Sequence, residues 1–270
     1  MRFELIALDL DDTLLHSDLS ISEANREALR RAHKSGAKIV LSSGRNLTSM
    51  EKYARLLGLA GPDDYIVATN GAEIVATATG RVLSETRIDA ALCREIAHYL
   101  DSLGFAWQIY ENGGIHYKGR NSYTEEDTRL TGMPNFPIQD EEAALARGQL
   151  KFVVPGEPAS LPALRDNLLE IFPHQVEVLI SKPYFLEVLP AGADKGTALA
   201  QLAKRLDLDM RKALAMGDGM NDIGMLKSVG FSCAPANAVP EAKAAAAWVS
   251  HLTNDEDFVA DALGRWMELA

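Results

Sequence analysis

Leu5-Ile6-Ala7-Leu8-Asp9-Leu10-Asp11-Asp12-Thr13 decides how this chain is read. Four apolar residues run without a break and end on acidic ones. That is the pattern of a buried parallel strand whose carboxyl end opens onto a site. Asp9 and Asp11 stand two apart at that end, where alternate residues share a side. Ligands of an open α/β sheet bind outside the carboxyl ends of its strands. Two close carboxylates repel, so they call for a cation, a shared proton or solvent. A solvated acidic turn also accounts for an isolated Asp-x-Asp. An EF-hand loop numbered from Asp9 does not fit, because Leu14 and Ser20 occupy the places that need Gly and Glu.

Working outward, Ser20-Ile21-Ser22-Glu23 has capping-box spacing and Gly36 lies at a helix C-cap, which predicts a helix between them. Lys38 to Leu41 reads as a second strand, Asn46 to Leu57 as a helix stopped by Gly58, and Tyr65 to Ala68 as a third strand. Strand and helix in alternation predict a parallel sheet covered by helices. The rhythm then changes. Glu73 to Thr77 and Arg81 to Ser84 read as a hairpin, followed by a helix over Asp89 to Leu103. Strands over Phe105 to Tyr110, Ile115 to Lys118 and Leu150 to Val154 come next, with a helix near Leu161 to Ile171 and a strand pair, Val176 to Ile180 and Phe185 to Leu189. Hairpins mixed with helices predict an α+β unit with antiparallel pairs. From Lys195 the first rhythm returns: a helix to Leu206, a strand Ala213 to Met216, a helix from Asn221, a strand near Phe231 to Ala234 and two closing helices. The expected fold is α/β, a Rossmann-like three-layer core with a parallel central sheet and an inserted α+β domain. The core takes residues 1–81 and 183–270, and the insert takes 82–182, a usual domain size.

Composition narrows the function. The 270 residues hold 27 Lys and Arg against 38 Asp and Glu, a formal charge of -11. That argues against a nucleic-acid binder, whose affinity comes largely from cations set against phosphates. A small phosphorylated ligand stays compatible, since local cations and a metal can outweigh the global field. Cys93 and Cys233 form no CxxC pair and read as small buried hydrophobes. No uncharged apolar run approaches the roughly 20 residues of a membrane helix, and the N-terminus does not read as a signal peptide. The expectation is a soluble cytoplasmic protein without a membrane partner.

Three more segments accompany the first. Leu41-Ser42-Ser43-Gly44-Arg45 follows the second strand and offers a hydroxyl and glycine-flanked N–H groups, suited to phosphate oxygens or to a plain helix N-cap. Lys195 opens a helix after Gly192-Ala193-Asp194; taken alone, a lysine there is more often a solvated surface charge. Gly217-Asp218-Gly219-Met220-Asn221-Asp222 follows a strand, with two carboxylates one helical turn apart. A dinucleotide-binding GxGxxG fits it poorly, because Asp222 replaces the third glycine and would face a pyrophosphate.

DLDDT, SSGR, the single Lys195 and GDGMND, in that order, resemble the four motifs of the haloacid dehalogenase superfamily. They are most similar to its Cof-type phosphatases, in which a large α/β cap is inserted after the third strand. Thr69-Asn70-Gly71-Ala72, Phe185 to Pro190 and Ala236-Asn237-Ala238 extend the resemblance over most of the chain. Pro235-Ala236 stands where Met-Gly is usual, Phe258 where a glycine is common, and Ser43 where threonine is frequent. The resemblance implies an Mg2+-dependent phosphatase in which Asp9 attacks a phosphate monoester and Asp11 serves as acid, then base. It further implies Mg2+ held by Asp9, the main-chain carbonyl of Asp11, and Asp218, with Asp222 orienting that group or Lys195 from behind. Phosphate oxygens would meet Ser43, the backbone at Leu10 and Gly44, Lys195 and Asn221. Sugar phosphates and similar small metabolites are the substrates it implies. The insert would act as a cap, with Trp107, Tyr117, Arg120 and Lys151 as candidate specificity contacts or, equally, ordinary surface or core groups. A phosphomutase or phosphotransferase using the same aspartyl phosphate, or a non-catalytic phospho-ligand sensor, are the alternatives; oligomeric state is not readable.

Overall fold

The computed structural model describes residues 2–267. They form two compact units, residues 2–84 with 194–267 and residues 85–193. The first opens with strand β1 (Leu5–Leu8), helix α1 (Glu23–Lys34), β2 (Lys38–Ser42), α2 (Leu47–Leu56), β3 (Tyr65–Ala68), β4 (Glu73–Ala76) and β5 (Arg81–Glu85). Helix α1 starts two residues later than the capping-box spacing of Ser20 predicts. Asp18 takes the Ser20 N–H, and Ser22 caps the helix by accepting from the Asn25 N–H at 3.1 Å.

The second unit contains α3 (Ala90–Ser102), β6 (Trp107–Glu111), β7 (Gly114–Lys118), α4 (Glu126–Thr131), β8 (Asn135–Pro137), α5 (Glu141–Leu145), β9 (Phe152–Pro155), α6 (Leu161–Ile171), β10 (Val176–Lys182) and β11 (Phe185–Pro190). Its sheet runs β10-β11-β9-β6-β7-β8, antiparallel except for the parallel pair β7–β8. Strand β6 begins at Trp107, two residues later than expected, because the Phe105 N–H closes the end of α3 on the Leu100 carbonyl. The β10–β11 hairpin carries this unit past residue 182, so the chain returns to the first unit at residue 194.

The chain then adds α7 (Lys195–Arg205), β12 (Ala213–Met216), α8 (Ile223–Ser228), β13 (Phe231–Ala234), α9 (Pro240–Ala245), β14 (Trp248–Val249) and α10 (Phe258–Trp266). The first unit's sheet has the order β14-β13-β12-β1-β2-β3-β4-β5. Its strands from β14 to β3 are parallel, and β4 turns back against β3. Alternate residues pack on opposite faces. Ile6, Leu8, Ile39 and Leu41 face α1, α2 and α10, while Leu5, Ala7 and Val40 face α7, α8 and α9. This explains why β1 is apolar at every position: both faces are covered. The result is the expected α/β three-layer core. Phe258, where the family pattern favours a glycine, is fully buried beneath the Trp248 ring. No helix among the described residues is long and apolar enough to cross a membrane.

Candidate active site

The carboxyl ends of β1, β2, β3 and β12 deliver the polar residues. Just past β1, the Asp9 N–H donates to the Met216 carbonyl of β12 at 2.9 Å, which fixes the first aspartate beside the GDGMND loop. Lys195 arrives from α7, capped by Asp194 accepting from the Thr197 N–H at 2.8 Å. Helices α7 and α8 can close on one another because both contact residues are glycines. A Cβ on Gly196 would lie 2.5 Å from the Gly224 carbonyl oxygen. That approach sets the lysine beside the strand ends.

Lys195 is completely buried, and its Nζ donates to Asp9 Oδ1 at 2.6 Å and to Asp222 Oδ1 at 2.7 Å. Asp222 Oδ2 in turn accepts the N–H groups of Asp218 and Gly219 at 3.0 and 2.9 Å. Asp218 Oδ1 accepts from the Thr13 hydroxyl at 2.6 Å. Asp9, Asp218 and Asp222 each offer an oxygen, and these lie within 4.8 Å of one another. Burial pushes the Asp9 carboxyl well above its ordinary range; Lys195 opposes this, while Asp222, Asp218 and Asp11 add to it. Burial, with Asp222, pushes Asp218 up to about 7. Burial alone would lower Lys195, but Asp222 and Asp9 outweigh it and raise it. Such concentrated negative charge, only partly answered by one lysine, can hold a metal ion. Hard carboxylate oxygens suit a small divalent cation.

Asp11 does not join the triad through its carboxylate. Both of its oxygens are taken by Arg45, from Nε at 2.7 Å and Nη2 at 2.6 Å. Ser43 is buried, its N–H on the Val67 carbonyl and its Oγ accepting from the Arg45 N–H at 3.2 Å. Asn221 Nδ2 donates to Asn70 Oδ1 at 2.9 Å, and Gly44 lies against the same Asn70 carboxamide. Leu10 is buried just past the end of β1, beside Asp9. Three polar residues of this region received no role from sequence: Thr13, Arg45 and Asn70. All lie inside quoted motifs, but the motifs do not say which partner each one touches. Asn237, from the late motif, braces the first loop by donating to the Asp12 carbonyl at 2.7 Å.

In the second unit, Trp107 is not a surface contact. It is fully buried, packs edge-on against Phe152 and donates its indole N–H to Asp101. Lys151 is buried and paired with Glu187 at 3.2 Å. Arg120 is exposed and lies over the half-buried Tyr117 ring.

Comparison with known proteins agrees with this architecture. A sequence profile of haloacid dehalogenase-like hydrolases matches residues 6–263. The 5-amino-6-(5-phospho-D-ribitylamino)uracil phosphatase of Bacillus subtilis is 30% identical over 268 residues, covering 98% of this chain and 96% of its own. The HMP-PP phosphatase of Serratia proteamaculans is 28% identical over 243 residues, or 89% of this chain and 86% of its own. A solved haloacid dehalogenase-like hydrolase from Bacteroides thetaiotaomicron, 29% identical, shares the fold with a TM-score of 0.91 over 98% of this chain and 99% of that one. With the profile running through both units and the fold shared from end to end, the chain belongs to the haloacid dehalogenase-like hydrolase family.

Proposed function

We propose that this hydrolase is a magnesium-dependent phosphatase acting on small phosphorylated metabolites, sugar phosphates foremost, with Asp9 as nucleophile. One observation carries the reading: a buried carboxylate, Asp9, is gripped through Oδ1 by the buried Lys195. A phosphate dianion repels an attacking carboxylate, so attack depends on alignment and neutralisation more than on nucleophilic strength. Lys195 supplies both, and Oδ2 of Asp9 is the atom that attacks.

The Asp9 Oδ2–phosphorus bond forms as the ester P–O bond breaks, and Asp11 gives the leaving alkoxide its proton. Water then attacks phosphorus, Asp11 takes a proton from it, and the Asp9 carboxylate is released with inorganic phosphate. Ser43, the N–H groups at Leu10 and Gly44, Lys195 and Asn221 hold the phosphoryl oxygens while charge redistributes. Asp9, Asp218 and the Asp11 carbonyl are the residues that would hold Mg2+. Both oxygens of Asp222 already accept protein donors, which suits it to orienting Lys195 and the Asp218 loop instead. Bound there, the cation neutralises phosphate charge as it develops.

Two relatives named as phosphatases support the reaction class, and the net charge of -11 speaks against polymeric nucleic-acid substrates. Substrate choice falls in this reading to residues of the inserted unit. The test is phosphate release from a panel of phosphorylated metabolites, with magnesium or EDTA, for wild type and Asp9→Asn. Magnesium-dependent release that the variant lacks is expected. Appreciable turnover by Asp9→Asn would refute the nucleophile, and capture of the phosphoryl group by added sugars in place of water would make the protein a phosphotransferase.

A further inference from the structure

We propose that Asn70 is a positioning residue of the phosphate site, acting through Asn221. The inference rests on the phosphatase reading above and gives a task to a residue that reading leaves idle.

Three successive residues after β3 adopt left-handed backbone: Thr69 and Asn70 at φ 53° and Gly71 at φ 97°. A β-branched threonine is a rare occupant of that region. Such strain persists where the surroundings over-determine it, and it clusters at functional sites. Here the surroundings are the site's own loops. The Thr69 N–H donates to the Arg45 carbonyl at 2.8 Å and the Asn70 N–H to the Ser43 carbonyl at 3.0 Å, tying this segment to the loop that carries the proposed phosphate contacts. Gly71 passes so close to α7 that a Cβ there would lie 2.5 Å from the Asp194 carbonyl oxygen, one residue before Lys195.

The strained backbone delivers a side chain that is 2% exposed. Asn70 Oδ1 accepts from Asn221 Nδ2 at 2.9 Å, while a Cβ on Gly44 would come within 3.1 Å of Asn70 Nδ2. One carboxamide therefore touches both the Ser43–Arg45 loop and the Asn221 loop. Asn221 has two amide protons. With one committed to Asn70, the plane of its amide is fixed and the second is held ready for a phosphate oxygen. Without Asn70, the half-buried Asn221 side chain would have to be ordered by the substrate itself, at a cost in affinity.

Asn70→Gly tests this, because glycine adopts positive φ without penalty and only the carboxamide is lost. Inorganic phosphate is the probe, bound in the presence of magnesium and followed by calorimetry, alongside kcat, KM and the unfolding midpoint. Expected are an unchanged or higher midpoint and phosphate binding weakened about tenfold, the scale of one lost hydrogen bond. KM should rise by a similar factor. The double variant Asn70→Gly/Asn221→Ala should bind no worse than Asn221→Ala alone, since both remove one unit. Phosphate binding by Asn70→Gly within about twofold of wild type, or single-variant losses that multiply in the double, would overturn the proposal. A measurement on wild type alone backs this up. The Asn221 side-chain amide should exchange its protons more slowly than that of exposed Asn112, and equal rates would sink the proposal. Wild type that neither binds phosphate nor releases it from any metabolite would overturn the phosphatase reading and this inference together. Wild type that does both, beside an unaffected Asn70→Gly, overturns the inference alone.

Discussion

Arg45 closes on Asp11 with two parallel hydrogen bonds, Nε to Oδ2 at 2.7 Å and Nη2 to Oδ1 at 2.6 Å. Paired this way, charge and geometry reinforce each other, and the carboxylate has one defined orientation. The arginine is itself buried and rests against the Tyr53 ring, so it is the fixed member of the pair. An arginine only donates, so both oxygens of Asp11 serve as acceptors in this pairing. The acid role proposed for Asp11 would require one of the two bonds to be given up.

This pairing makes a prediction about leaving groups. A general acid matters most when the departing alkoxide is a poor leaving group. Arg45→Ala should lower kcat/KM for an alkyl phosphate about 100-fold, within the roughly 10²–10⁴ that acid–base catalysis contributes. For p-nitrophenyl phosphate, whose phenolate departs unaided, the loss should stay under about tenfold. Steady-state rates on both substrates decide it; equal losses would separate Arg45 from the acid step.

The two cysteines carry a pH prediction. Both are fully buried and unpaired, and burial pushes each thiol up to about 12 from 9.0. The sign follows from proton binding: the folded thiols keep their protons in a window where the unfolded ones lose them. Their contribution to stability is therefore present below 9.0 and is lost as pH rises towards 12. Since the thiolate is the reactive form, neither thiol should react with Ellman's reagent in native protein at pH about 8, and both should react in denaturant. Prompt reaction of the native protein would contradict the packing around Cys93 and Cys233.

Much of this fold was legible because its central strands are covered on both faces. Leu5 to Leu8 and Ala213 to Met216 are unbroken apolar runs for that reason. Helix α4, strand β8 and helix α5 were not legible, having six, three and five residues. Elements that short complete too few periods to register as a pattern. In the site, the motifs pointed to Asp9, Lys195, Asp218 and Asp222, which the fold brings together. They could not reveal that Arg45 holds Asp11 or that Thr13 holds Asp218, bonds that span 34 and 205 positions of chain. For Trp107 the sequence left a ligand contact and a core position both open, because an aromatic at a strand start reads alike in either place; its burial decides for the core.

Lys195 offers a stability test. It is wholly buried, and its ammonium answers two buried carboxylates. Removing one member of such a set leaves charge uncompensated, which costs about 3–5 kcal/mol. Lys195→Met should therefore be inactive and destabilised by roughly that amount in urea melts with EDTA present. Adding Asp9→Asn should restore part of the loss, because the stranded charge, more than the missing contact, is what destabilises. A double variant as unstable as the sum of its singles would show that Lys195 and Asp9 do not act as a pair.

The acidic triad offers a test that needs no substrate. A cation bound only by the folded protein stabilises it by RT ln(1 + [L]/Kd), about 2.7 kcal/mol at a hundred times Kd. Magnesium should accordingly raise the unfolding midpoint of wild type and EDTA should lower it again. Asp218→Asn keeps an oxygen for the Thr13 hydroxyl, and the Asp222 bonds are to the backbone, so the loop should hold its shape. It removes a charge from a carboxyl that burial and Asp222 already push up to about 7, so the magnesium-free protein should be no less stable than wild type. The magnesium-induced rise, however, should shrink to a small fraction. If Asp218→Asn kept the full rise, the cation would be bound elsewhere, and the assignment of Asp218 as its ligand would fail.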